Sequence, residues 1–254
     1  MIANYHSHTY RCHHATGTER EYVENAIKAG LKILGFSDHA PYIYKDGYVS
    51  TFHMLPEDAE GYFRTITDLR DEYKDDIEIH VGVEAEYYPE FFDQTMKFLE
   101  NFPCEYIIFG QHMLSNEYDE KTYPSAKPSD NPLIFRRYID QVIEGMNTGK
   151  FTYLAHPDLF AYTGDEETYY SYYSELCREA LKLDMPLEIN LLGIRGKRLY
   201  PDKKFWSIAA ETGNRIILGT DAHDPESLLD TKAVSDAYNM LENLGVEAID
   251  TLDL

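Results

Sequence analysis

Ile33-Leu-Gly-Phe-Ser37-Asp38-His39 is a short apolar run that closes on a hydroxyl, a carboxylate and an imidazole. Such a run, bounded by longer amphipathic stretches, reads as a buried strand. The same grammar recurs along the chain. Strands are expected at Ala3–His8, Ile33–Ser37, Ile77–Glu84, Tyr106–Gly110, Thr152–Ala155, Leu187–Asn190 and Arg215–Gly219. Helices are expected at Glu19–Ala29, Pro56–Tyr73, Glu90–Glu100, Pro132–Thr148, Glu166–Leu183, Asp202–Thr212 and Ser227–Leu244. Strands that alternate with helices imply a parallel sheet with crossover helices. Over 254 residues this predicts an α/β fold, a closed (β/α) barrel of seven strands rather than eight. An open doubly wound sheet is the alternative. No GxGxxG or GxxxxGK[ST] motif follows a strand, so nucleotide-fold fingerprints are absent. Ser115–Pro132, rich in turn formers, reads as a surface loop and not as a boundary. Residues 1–254 therefore read as one domain.

The strand ends carry the chemistry. They read His6-Ser-His8, Ser37-Asp38-His39, Val83-Glu84-Ala85-Glu86, Gly110-Gln111-His112, Ala155-His156-Pro157-Asp158 and Thr220-Asp221-Ala222-His223. In a parallel barrel these C-terminal ends share one face, where such barrels keep their active sites. One imidazole at a strand end is usually a hydrogen-bonded structural group. Many imidazoles and carboxylates gathered at one mouth are costly unless cations compensate them. A polynuclear metal site at the C-terminal ends of the strands follows. Nitrogen and oxygen ligands suit two to three divalent ions of Zn, Mn, Fe or Co, and do not choose among them.

Composition narrows the class. Hydrophobic residues make up 43% and charged residues 27%, ordinary values for a globular enzyme. The 23 basic and 45 acidic residues give a net charge of −22, which disfavours polymeric nucleic acid and anionic membranes as partners. No apolar run approaches membrane-spanning length, and the N-terminus has no signal-peptide core. Cys12, Cys104 and Cys177 form no CxxC pair, so neither a disulfide scaffold nor a thiolate zinc site is expected, and a cytoplasmic home is. Oligomeric state is not legible.

The ordered set His6-Ser-His8, Cys12-His13-His14, Ser37-Asp38-His39, Gly82-Val-Glu84, Gln111-His112, His156-Pro157-Asp158 and Asp221-Ala-His223 resembles the PHP (polymerase and histidinol phosphatase) superfamily, in particular its histidinol-phosphatase-like members. The resemblance spans essentially the whole chain. It implies a distorted (β/α)7 barrel with a trinuclear metal centre. One ion would take His6, His8, Glu84 and Asp221, and a second would share Glu84 and add His112 and His156. A third would take His14, His39 and His223. His14 is preferred to His13 because the family's third histidine lies eight positions after the first. Glu86, on the same strand face as Glu84, is expected beside the site or as a substitute ligand. His53 and His80 are expected to be ordinary surface or packing residues.

The resemblance also implies hydrolysis of a small phosphomonoester by a metal-held hydroxide, with L-histidinol phosphate as the best single substrate. Asp221 is expected to position the water, and His223 or Asp38 to protonate the leaving alkoxide. Glu188-Ile-Asn190-Leu-Leu-Gly193-Ile-Arg195-Gly-Lys197-Arg198-Leu-Tyr200-Pro201 matches the family's Glu-x-Asn…Gly-x-Arg…Tyr-Pro stretch. Arg195 matches its arginine and is expected, with Arg198, to bind the substrate phosphate. One departure stands out: family members often carry a basic residue soon after the strand-five histidine, and Asp158-Leu-Phe-Ala161-Tyr162-Thr has none. Tyrosines 169, 170, 172 and 173, at helical spacing, read as packing and surface residues. The competing functions are a phosphoesterase for nucleotides, a non-catalytic metal-binding module and an amidohydrolase. The order of ligands fits the last of these less well.

Overall fold

A computed structural model describes residues 1–45 and 47–254. Seven parallel strands run in the order β1 (Ala3–Asn4), β2 (Ile33–His39), β3 (Glu78–Ala85), β4 (Tyr106–Phe109), β7 (Tyr153–Leu154), β8 (Leu187–Asn190) and β9 (Ile216–Gly219). The sheet closes at its C-terminal rim, where Ser7 forms a parallel bridge with Ala222 and His8 N donates to Ala222 O at 2.9 Å. This is the distorted (β/α)7 barrel expected from the alternation.

The first strand is shorter than expected because a side chain replaces its ladder. Fully buried Asn4 accepts from Thr220 N through Oδ1 at 2.8 Å and donates to Ser7 Oγ at 2.8 Å. The segment His6–His8 is thereby stapled to the end of β9 while its imidazoles face inward. A small antiparallel pair, β5 (Met113–Leu114) with β6 (Tyr123–Pro124), was not expected and structures part of the long loop.

The helices are α1 (Glu19–Lys28), α2 (Ala59–Glu72), α3 (Phe92–Leu99), α4 (Pro132–Asn147), α5 (Glu166–Lys182), α6 (Leu191–Arg195), α7 (Lys203–Thr212) and α8 (Thr231–Leu244). Capping chemistry sets their starts. Thr18 and Glu21 make a reciprocal capping box ahead of α1, a device worth about 1 kcal/mol. The short α6 was missed by periodicity. It starts because the Asn190 side chain accepts from Gly193 N at 3.1 Å as β8 ends.

Two apolar clusters hold the barrel. The larger lies between strands and helices and includes Phe36, Val81, Val83, Tyr138, Leu176 and Trp206. The smaller fills the barrel with Tyr5, Tyr106, Ile108, Tyr153, Ala155 and Ile217. The Tyr106 hydroxyl donates to the carbonyls of Tyr5 (2.8 Å) and Phe36 (3.0 Å), so the ring is buried with its polar end satisfied. On α5, Tyr169 and Tyr173 join the buried stripe and Tyr170 faces solvent, as their spacing suggested. Among the described residues, no helix is long and apolar enough to cross a membrane.

Candidate metal centre

The strand ends deliver imidazoles and carboxylates to one point. His6, His8, His39, Glu84, His156 and Asp221 are all buried there. Two of them need unusual backbone: His156 and Asp221 adopt left-handed conformations, with φ of 31° and 49°. For non-glycine residues this is strained geometry of the kind that gathers at functional sites.

The donor atoms are spaced like ligands. His6 Nε2 and His8 Nε2 stand 3.2 Å apart. Each lies 3.5 Å from Glu84 Oε2, and they lie 3.5 and 3.2 Å respectively from Asp221 Oδ1. Two ligands on one tetrahedral ion bound at about 2.0–2.1 Å stand about 3.3 Å apart. These four residues therefore fit one divalent cation. The other oxygen of Glu84 looks elsewhere: Oε1 lies 3.0 Å from His156 Nε2 and 3.6 Å from His112 Nε2. Glu84 thus offers one oxygen to each of two donor groups, as a bridging carboxylate does. In a third group, His14 Nε2 and His223 Nε2 face each other at 3.0 Å, and His39 Nδ1 lies 3.3 Å from Glu84 Oε2.

The second ring nitrogens show which atoms are free to ligate. His6 Nδ1 lies 2.8 Å from Glu188 Oε2, and His14 Nδ1 donates to Cys12 O at 2.7 Å. In each case Nε2 keeps the lone pair that faces the cluster. Burial raises the pKa of Glu84 and Asp221, but the surrounding imidazoles outweigh it and hold both carboxyls well below the usual range. Burial, and then neighbouring His223, lower the His14 pKa to about 4, so its ring is neutral at pH 7.

Asp38, His53 and Cys12 stand differently from their sequence reading, whereas Glu86 lies beside the site and His80 away from it, as expected. Asp38 is buried and does not line the cavity. It accepts from the Thr9 hydroxyl and from His39 N (2.9 Å), and lies 3.4 Å from His8 Nδ1. Its contacts make it a support for His8. Glu86 touches His112 rather than the cluster, with its Oε1 2.8 Å from His112 Nδ1. His53 is not an ordinary packing residue: it is wholly buried, between Glu86 (2.9 Å) and Glu117 (2.8 Å). Its C-terminal distance from any strand end hid this. His80 pairs with Glu78 at the far end of β3, away from the site. Cys12 comes unexpectedly close, with its sulfur grouped beside donor atoms of His14 and His223. Burial and then Asp38 raise its pKa, and Sγ donates to Thr9 O, so it stands as a thiol. His13 and His14 are both exposed; His13 has a left-handed φ of 66°, and it is the His14 ring that meets His223.

Above the cluster lies a cavity of about 510 Å³. His14, His39, Glu84, His112, His156, Asp221 and His223 line its floor. Arg198 and Tyr200 stand on one wall, and Phe52, Met113, Leu159 and Leu192 make the rest largely apolar. Arg195 does not line it. Its guanidinium donates to the carbonyls of Thr220 (2.9 Å) and Asp221 (3.3 Å), bracing the strained turn that carries Asp221.

The PHP domain family is matched over residues 4–191. The chain belongs to that family. Among PHP relatives, a probable histidinol-phosphatase of Deinococcus radiodurans is 29% identical over 228 residues, covering 88% of this chain and 87% of that protein. The histidinol-phosphatase of Bacillus subtilis is 25% identical over 248 residues, covering 86% of this chain and 92% of its own. The crystal structure of histidinol phosphate phosphatase from Lactococcus lactis, complexed with zinc, L-histidinol and phosphate, matches with a TM-score of 0.78 at 21% identity. That match covers 99% of this chain and 97% of that one, and it establishes the PHP barrel fold.

Proposed function

We propose that this chain is a metal-dependent phosphatase that hydrolyses a small phosphomonoester, L-histidinol phosphate. The observation that carries the reading is the set of donor atoms of His6, His8, Glu84 and Asp221. The imidazole nitrogens stand 3.2 Å from each other and 3.2–3.5 Å from the two carboxylates, under a cavity of small-molecule size. The names of the Deinococcus and Bacillus relatives and the L-histidinol and phosphate bound to the Lactococcus protein support the substrate.

In this reading His6, His8, Glu84 and Asp221 would hold one ion, and Glu84, His112 and His156 a second. His14, His39 and His223 would hold the third. Bound divalent ions supply a nucleophilic hydroxide at neutral pH and stabilise charge on the phosphoryl oxygens. The protein's own residues do the rest. Arg198 offers a cation to the phosphate from the wall, held by its bond to the Tyr200 hydroxyl at 2.8 Å. Phe52, Met113, Leu159 and Leu192 exclude water around the leaving alcohol. Asp221 has Oδ2 taken by Asn190 at 3.0 Å, so Oδ1 is its working oxygen. With His223 it lines the cavity, where this oxygen would order the attacking water. Residues 1–254 act as one unit. The three cysteines are unpaired, in keeping with a reducing cytoplasm.

A phosphate-release screen of the metal-loaded protein against histidinol phosphate, nucleotides and sugar phosphates tests the proposal. Histidinol phosphate should lead. A different monoester cleaved a hundredfold better would replace the substrate and keep the phosphatase. Release from none of them with any divalent metal would leave a metal-binding module.

A further inference from the structure

Glu84 and Glu86 lie two residues apart at the end of β3, and both are buried, yet they serve different partners. Glu84 faces the imidazoles of the cluster. Glu86 is turned to one side by three contacts. The Tyr42 hydroxyl donates to its backbone carbonyl at 2.8 Å, His53 Nε2 meets its Oε2 at 2.9 Å, and His112 Nδ1 meets its Oε1 at 2.8 Å. The far nitrogen of His53 meets a second carboxylate, Glu117 Oε1, at 2.8 Å.

This chain of contacts fixes protons. A neutral imidazole has one donor and one acceptor nitrogen. His53 has a carboxylate oxygen on each nitrogen, so both nitrogens donate and the ring is an imidazolium. The imidazolium occupies one oxygen of Glu86 and offsets its charge, which keeps this carboxylate out of the cluster. The remaining oxygen is an acceptor only, so His112 must donate to it from Nδ1. That leaves the His112 Nε2 lone pair directed at Glu84 Oε1 and the neighbouring His156 ring, 4.9 Å away between centroids.

We infer that Glu86, anchored by His53 and Glu117, is a positioning residue that locks His112 in the Nδ1-protonated tautomer and so presents Nε2 to one metal ion. The inference rests on the reading of His112 as a ligand. Supporting partners of this kind typically change metal affinity ten- to a hundredfold.

Chelator competition and metal counting on His112→Ala, Glu86→Leu and Glu86→Gln test it, alongside long-range proton–nitrogen NMR of the zinc-loaded wild type. Glu86→Leu should weaken one ion ten- to a hundredfold and leave the others unchanged. Glu86→Gln, which still presents an amide oxygen, should recover most of that loss. Added to His112→Ala, Glu86→Leu should cost nothing more at that ion. The wild-type spectrum should show His112 protonated at Nδ1. An Nε2-protonated His112 would overturn the inference even if Glu86→Leu fails to fold. His112→Ala losing an ion while Glu86→Leu loses none would overturn it alone, whereas His112→Ala keeping every ion would remove the ligand reading beneath it.

Discussion

Gly110 makes room for Glu84: a methyl group on Gly110 would stand 2.0 Å from Glu84 Oε1. Strand β4 ends one residue earlier, so its backbone passes directly against the carboxylate that serves two donor groups. No other residue type fits without moving Glu84. Gly110→Ala should therefore displace this carboxylate and lower turnover about a hundredfold, the scale of an ångström-sized misplacement at a reacting centre. Metal analysis should show at least one ion lost. Unchanged turnover with full metal content would mean that Glu84 tolerates the shift and does not bridge.

Metal removal should be visible in stability as well as in activity. The purified protein should carry two to three equivalents of divalent transition metal. A ligand present at about a hundred times its dissociation constant stabilises by about 2.7 kcal/mol. For a chain this long, that is a Tm rise of about 5–10 °C per tightly held ion. Exhaustive chelation should lower Tm by at least that amount and abolish phosphatase activity. Less than half an equivalent after reconstitution would sink the trinuclear assignment.

His13 and His14 are adjacent but should behave differently. Both are exposed, but it is His14 that faces His223, at 3.0 Å. His14→Ala should lower kcat at least about tenfold, equivalent to roughly 1.4 kcal/mol. His13→Ala should leave it nearly unchanged. The reverse result would place the ligand one residue earlier.

Arg195 and Arg198 should also separate. Arg198→Ala should lower kcat/KM for the best monoester about tenfold with metal content unchanged, and lysine there should rescue it only in part. Arg195→Ala should act on the scaffold. It removes the donor that braces the Thr220 and Asp221 carbonyls, so Tm and metal content should fall together. Intact metal content in Arg195→Ala, with a large loss in kcat/KM, would return the phosphate contact to Arg195.

The sequence by itself determined the barrel and the identity of the residues clustered at its mouth. Strand–helix alternation is local, and His6, His8, Glu84, His156 and Asp221 sit at strand ends, so a parallel sheet necessarily brings them to one rim. Only the tertiary structure decided how each of those side chains is held. His6 takes its orientation from Glu188, 182 residues away, and His112 from Glu86 with His53 behind it. Arg195 and Arg198, three residues apart on and just beyond a helix of five residues, face a backbone turn and the cavity respectively. Such pairings follow from which loops meet across the barrel mouth. A buried nitrogen or carboxylate must find a partner, but the one it finds depends on the packing of distant segments, which leaves no periodic mark in the chain.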